Sequence, residues 1–279
     1  MRTRPLLERA RRNGLGLLGL ALAGLAIVAA LGAPLLAPHD PVVGDFAQSL
    51  KPPGTAGHPW GTDQLGRDLF SRVLYGARIA LFIGICVVLI TAVMGGLLGL
   101  LAGYFGGWPG TVLMRLVDVQ LSFPLIFLAL TINAIVGLGL RNIIISLAAA
   151  GWVVYARVVR GEVLSVKQRE YVQAAAALGL GRGRILFRHV LPNVLPSILV
   201  VASLQFSQFI VAEAAISFLG FGVQPPTPAW GSMLSESRDY LYVAWWLAAF
   251  PGAALAVTAL GINLVGDWLR DVLDPKFRA

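Results

Sequence analysis

Long apolar intervals without charge, separated by short polar or glycine-rich stretches, dominate the chain. Such an interval becomes a membrane span when it holds about 20 residues, because a helix rising 1.5 Å per residue must cover about 30 Å of hydrocarbon. Five intervals meet that length and predict helices over residues 14–36, 79–104, 119–138, 195–219 and 242–265. A further interval has only fifteen residues between Arg141 and Arg157. It reaches span length over residues 142–159 if Arg157 snorkels its guanidinium to the interface. The pattern therefore predicts an all-α membrane protein with six transmembrane helices. The first apolar run follows a basic start, as in a secretory signal, but at about 23 residues it exceeds the 7–15 of a signal core. It is read as an uncleaved anchor. Residues 106–110, GGWPG, predict a turn after the second span. Residues 38–72, rich in Pro, Gly and Asp, predict an irregular loop or a short amphipathic helix at the membrane surface.

Composition agrees: 57% of residues are AVILMFWYC and only 13% are charged. A soluble domain carries about a quarter charged residues, so this chain lacks the polar surface to coat a water-facing globule. The net charge of +8 raises the question of nucleic acid, and the positions of the charges answer it. With six spans and the N-terminus in the cytoplasm, the inside segments carry 16 Lys/Arg and 7 Asp/Glu, and the remainder 6 and 7. Without the fourth span the basic count inverts to 6 inside and 16 outside, against the positive-inside rule. The charge therefore reports topology, with both termini in the cytoplasm and no nucleic acid partner. The chain divides into a cytoplasmic start and first span (1–37), an extracytoplasmic segment (38–78), a five-helix core (79–266) with a cytoplasmic loop at 157–192, and a cytoplasmic tail (267–279).

No constellation for catalysis is visible. Cys86 is the single cysteine, which excludes an intrachain disulfide and reads as a small buried hydrophobe. His39, His58 and His189 are far apart and show no i,i+3 or i,i+4 pairing, so no metal-ligand set is expected. There is neither a G-x-x-x-x-G-K-[ST] phosphate loop nor a G-x-S-x-G elbow. No catalytic residue and no bound cofactor are expected, and any ATP must be handled by another chain.

Two spans carry unusual patterns. Gly95, Gly99 and Gly103 recur every four residues on the second span, a smooth face that either walls a moving pathway or simply packs a neighbouring helix closely. On the fifth, Gln205, Gln208 and Glu213 fall within an arc of about 140°, with Ser203 and Ser207 pointing away. Polar groups facing lipid are costly, so the arc either lines a translocation pathway or makes interhelical hydrogen bonds near the outer membrane face.

The 157–192 loop holds seven Lys/Arg against Glu162 and Glu170. EYVQAAAALG, from Glu170 to Gly179, reads as a short helix with a small-residue face, stopped by glycine. A second short helix over 183–189 leads to Pro192, which predicts a break before the next span because proline lacks a backbone N–H. By composition, the loop suits either a soluble partner that approaches closely over the alanines or the lipid headgroups.

The order Gln173-Ala174-Ala175, three residues, Gly179, nine residues, His189, Val190, Leu191, Pro192 resembles the EAA loop of binding-protein-dependent ABC importer permeases. Two positions depart from the family pattern: Gln173 stands where glutamate is usual, removing a possible ion pair, and His189 takes a hydrophobic position. The resemblance continues through GTDQLGRDLFSR from Gly61, YGARI from Tyr75, GWVVYAR from Gly151, FLGFGVQPPTPAWG from Phe218 and GINLVGDWLRDVLDP from Gly261. Together these cover about residues 38–275 and are similar to the C-type permease of dipeptide and oligopeptide systems.

The resemblance implies a type I ABC importer permease fold with cytoplasmic EAA coupling helices, in a bacterial cell membrane. It implies a second homologous permease chain, two cytoplasmic ATPase subunits holding ATP and Mg, and an extracytoplasmic binding protein that delivers the peptide. Gln173, Ala174, Ala175, Leu178, Gly179 and Arg182 then become the ATPase-coupling residues, with Ala174, Ala175 and Gly179 weighted above Gln173. The charges of Arg182 and Arg184 are accounted for by topology as well as by an ATPase contact. Residues 225–228, Pro-Pro-Thr-Pro, either meet the binding protein or cap the pathway. Nickel chelates, glutathione or haem are alternative cargoes for the same architecture. A stand-alone channel or secondary carrier is the reading from another class; it predicts conduction without partners and expects broken helices or inverted repeats, and no convincing internal repeat is present.

Overall fold

The structure, a computed structural model, describes residues 14–273. The basic start and the end of the tail, whose placement enters the topology argument, lie outside the described residues. Among those described there is no strand, only two isolated bridges in the segment before the second long helix. The helices are α1 (Gly14–Leu36), α2 (Leu69–Phe105), α3 (Gly107–Leu121), α4 (Leu125–Val136), α5 (Leu140–Lys167), α6 (Glu170–Ala177), α7 (Arg182–Ile185), α8 (Leu191–Phe218), α9 (Trp230–Ser237) and α10 (Trp246–Leu273). Five helical stretches are long and apolar enough to cross a membrane, and six do if the bent α3–α4 pair counts as one crossing.

Several boundaries depart from the sequence reading. The third span is not a straight helix over 119–138 but two helices meeting at 94°. Pro124 is the cause: it has no N–H, and it keeps the residue before it out of the helical region. The fifth span does not begin after a break at Pro192. A π turn at Leu186–Val190 joins α7 to α8, with Leu191 N–H donating to the Leu186 carbonyl, so the ladder shifts just before the proline and the helix passes through it. The second span begins at Leu69, ahead of the expected residue 79. Asp68 caps it by accepting from Ser71 N–H at 2.8 Å; Arg72 is paired with Asp63 and Glu236 and Arg78 lies over the Tyr75 ring, so neither charge ends the helix. The 106–110 turn shrinks to Gly106 and Gly107, both at positive φ, and Pro109 sits in the first turn of α3, where no N–H is required.

α2 and α5 pack along the glycine stripe. A Cβ at Gly95 would lie 2.2 Å from the Trp152 carbonyl oxygen, at Gly99 2.5 Å from that of Ala156, and at Gly103 2.8 Å from the Val163 side chain. The stripe is thus a packing surface within this chain. α1 meets α10 in the same manner, with Gly19 against Leu264 and Gly261 against Leu22. α3 joins through Arg157, which pairs with Asp118 instead of standing alone at an interface.

The ends of the bundle differ. At one, residues 37–68 and α9 form a cap held by buried ions. The Asp63 carboxylate accepts from Arg67 Nε at 2.6 Å and from Arg72, and the Glu236 carboxylate accepts from Arg67 at 3.0 Å and Arg72 at 3.2 Å. Trp230 Nε1 donates to the Val73 carbonyl at 3.0 Å, and Trp246 Nε1 to that of Thr62 at 3.2 Å. At the other end lie α6 and α7.

Two stability predictions follow from these contacts. Gly99→Val should destabilise the purified chain by about 1–3 kcal/mol through overpacking, whereas Gly24→Val, whose Cβ meets nothing within 4 Å, should be near neutral. Equal unfolding temperatures for the two variants in detergent would refute the seam. Asp63→Ala leaves Arg72 buried with half its compensation and should cost about 3–5 kcal/mol, read the same way. An unchanged unfolding temperature would show that the cap stands without its ions.

Candidate functional site

The loop between α5 and α8 is built outward from the helix ends that carry it. Lys167, the last residue of α5, donates Nζ to the Tyr104 carbonyl at 2.7 Å and lies over the same ring at 5.4 Å, which fastens the end of α5 to the end of α2. The chain turns through residues 168 and 169, and Arg169 reaches Asn193 on α8 at 3.4 Å. α6 follows. Val172 (3% exposed) and Ala175 (7%) face inward, into a cluster with Leu100, Val163, Ile185, Val190 and Val194. These come from α2, α5, α7, the π turn and α8, so the inner face of α6 is part of a core to which three long helices also contribute.

Its end is fixed by backbone geometry. Leu180 N–H donates to the Ala175 carbonyl at 3.2 Å and Gly179 N–H to that of Ala176 at 3.0 Å, the paired bonds of a Schellman ending. Gly179 takes φ +79, a region where a Cβ is strained although space around it is open. The glycine is therefore required by backbone conformation and not by crowding.

Opposite the seated face, Tyr171, Gln173, Ala174 and Leu178 point outward, and Leu178 is 80% exposed. Among the described residues Gln173 Nε2 reaches only the Gln168 carbonyl, at 3.3 Å. Exposed Phe187 adds a further apolar group on the following turn. An apolar patch on a rigid short helix, with Arg182 and Arg184 exposed on the next one, suits a soluble partner. Five of the six expected coupling residues, Gln173, Ala174, Leu178, Gly179 and Arg182, are thus exposed. Ala175 is placed inside, where it seats the helix; the run of alanines conceals which one the helical period turns inward.

The polar residues of α8 do not share one environment. Gln205 and Glu213 are buried within the chain, and Gln208 is exposed. Glu213 accepts from Ser217 Oγ at 2.6 Å, and the same oxygen accepts from Val223 N–H at 3.1 Å, so the carboxylate is part of a brace at the end of α8. Ser207, on the other side of the helix, is buried as well, because α8 is packed by α2 and α5 on one flank and by α10 on another.

Two cap features carried little sequence signal. Glu236 lies 164 positions from Arg72, which it pairs with, and no local pattern links them. His39 and His58, far apart in the sequence and read there as offering no ligand set, stack at 4.5 Å between ring centroids beside Asp68.

Comparison with known proteins bears on the whole chain. Residues 95–279 match the family described as binding-protein-dependent transport system inner membrane component, and residues 5–53 match the N-terminal TM domain of oligopeptide transport permease C. The chain is 41% identical over 276 residues to the dipeptide transport system permease protein of Alkalihalophilus pseudofirmus, covering 99% of this chain and 90% of that protein. It is 45% identical over 265 residues to the di/tripeptide transport system permease protein of Pseudomonas aeruginosa, with 93% and 88% covered. It is 38% identical over 270 residues to the oligopeptide transport system permease protein of Bacillus subtilis, with 97% and 88% covered.

Proposed function

The chain belongs to the family of binding-protein-dependent transport system inner membrane components, and on that premise we propose that it is the permease subunit of an ATP-driven importer of dipeptides and oligopeptides. The observation that carries the reading is α6, a short helix that shares a core with α2, α5 and α8 and has its other face open to a partner. In this account two ATPase subunits, which hold ATP and Mg, grip α6 here and its counterpart on a second permease chain. An extracytoplasmic binding protein delivers the peptide at the cap end. The end carrying α6 is cytoplasmic and the cap extracytoplasmic, an orientation supported by the 16 basic residues the topology places inside against 6 outside.

Closure of the ATPases on ATP moves α6 as a rigid body, because Val172 and Ala175 are locked in a core and the Schellman ending fixes its exit. The glycine seam and the Lys167–Tyr104 bond make α2 and α5 follow together, and the π-jointed helix carries the motion into α8. Gln208, exposed on α8, is the expected pathway residue best placed to meet the substrate path or the second permease. Gln205 and Glu213 support that helix from within. This chain performs no bond chemistry; transport is alternating access biased by ATP.

Purification from mild detergent should recover a second permease and two ATPases with the chain. Gly179→Val forces a branched residue into the left-handed region at about 1–2 kcal/mol, so the ending of α6 should rearrange and ATPase retention fall, with membrane insertion unchanged. A variant complex that keeps its ATPases and substrate-stimulated hydrolysis, or a wild-type chain that transports alone, contradicts the coupling role. For cargo, uptake of a labelled dipeptide should be competed by other short peptides. Competition by glutathione or a nickel chelate, without competition by dipeptides, would overturn the cargo assignment.

A further inference from the structure

We propose that His39, His58 and Asp68 form a binding site for a transition-metal dication of the zinc type in the cap. One donor atom from each of the three residues lies within 4.8 Å of those of the other two. Asp68 Oδ1 is 2.9 Å from His58 Nδ1 and 4.0 Å from His39 Nδ1. A tetrahedral ion with bonds of about 2.0–2.2 Å needs donor atoms about 3.3–3.6 Å apart, so the two distances bracket the requirement, and the stacked imidazoles must turn out of their stack to converge on one ion.

The surroundings fit a ligand set. Asp68 Oδ2 is already committed, accepting from Ser71 N–H at 2.8 Å and Ser71 Oγ at 2.7 Å, and this fixes the carboxylate with Oδ1 turned to the imidazoles. Ser71 Oγ also accepts from His39 N–H at 3.2 Å, so one hydroxyl orients two of the three residues in the manner of an outer-shell partner. His58 is held by its N–H to the Thr55 carbonyl at 2.8 Å. The exposure is graded: the Asp68 side chain is 0% exposed, that of His58 13% and that of His39 42%. The His39 edge therefore gives an ion access and leaves room for a water as fourth ligand.

Two imidazoles and one carboxylate favour Zn²⁺, Co²⁺, Ni²⁺ or Cu²⁺ over Mg²⁺ and Ca²⁺, which prefer all-oxygen shells. The ion would tie together three separate pieces of chain: the exit of α1 at His39, the loop at His58 and the cap of α2 at Asp68. All three ligands come from this chain, so the site stands whether or not the transport reading does.

The test uses the full chain without a histidine tag, in detergent, titrated with Co²⁺ as a spectroscopic probe and then with Zn²⁺. One equivalent of Co²⁺ should bind with visible d–d absorption, be displaced by Zn²⁺ and be insensitive to excess Mg²⁺ or Ca²⁺, and Zn²⁺ should raise the unfolding temperature. The His39 ring makes no hydrogen bond among the described residues and contributes only its exposed stack on His58, so His39→Ala should change the metal-free unfolding temperature little. It should lower Co²⁺ affinity by at least the roughly 10–100-fold typical of losing an outer-shell partner. His58→Gln should do the same. Absence of saturable one-equivalent binding, or equal Co²⁺ binding and an equal Zn²⁺-dependent rise in both variants, would overturn the site and leave the trio as a hydrogen-bonded brace.

Discussion

The close approach of α2 and α5 along Gly95, Gly99 and Gly103 is the contact on which the other features rest. Inside a bilayer apolar side chains gain nothing by leaving lipid for one another, so helices associate through close packing and polar bonds. Three missing Cβ atoms let the carbonyls of Trp152 and Ala156 come within van der Waals reach of the facing helix. With that distance set, the ends of α2 and α5 arrive side by side. Lys167 can then reach the Tyr104 carbonyl, and α6 finds the hydrophobic seat that holds Val172 and Ala175. A bulkier seam would separate those ends and unseat the short helix whose other face is exposed.

The cap solves a different problem at the opposite end. α2 extends beyond the apolar interval and carries Arg72 into a buried position, where an unpaired guanidinium would be costly. Asp63 and Glu236 offset it, and the like charge of Arg67, in one network that joins the segment before α2 to α9 across more than 160 positions of sequence. The tryptophan bonds add two further ties, α9 to α2 through the Val73 carbonyl and α10 to the segment before α2 through that of Thr62. A rigid cap and a rigid seat at the two ends of one helix pair let force applied at one be felt at the other without local unfolding.

Much of this was legible from the order of residues. Charge-free intervals located the spans, since hydrocarbon length imposes their size, and the Gly179 stop was readable because few residues tolerate its backbone conformation. The breaks were less so. Pro124 and Pro192 give the same local signal, yet one bends the chain by 94° and the other is absorbed by a π turn, a choice made by packing. The inward position of Ala175 among four alanines depends on how α6 is rotated onto its seat. The burial of Glu213 depends on neighbours on several helices. The ion network and the His39–His58–Asp68 group are long-range constructions, and spacing in sequence holds no record of them.

The central claim is that the outer face of α6 is a cytoplasmic docking surface. Thiol labelling of a Cys86→Ser, Leu178→Cys chain in sealed vesicles of either orientation tests it most directly. The account predicts that a membrane-impermeant reagent modifies the new cysteine from the cytoplasmic side alone, and that bound ATPase subunits shield it. Labelling from the opposite side, or labelling indifferent to the presence of the ATPases, would contradict it.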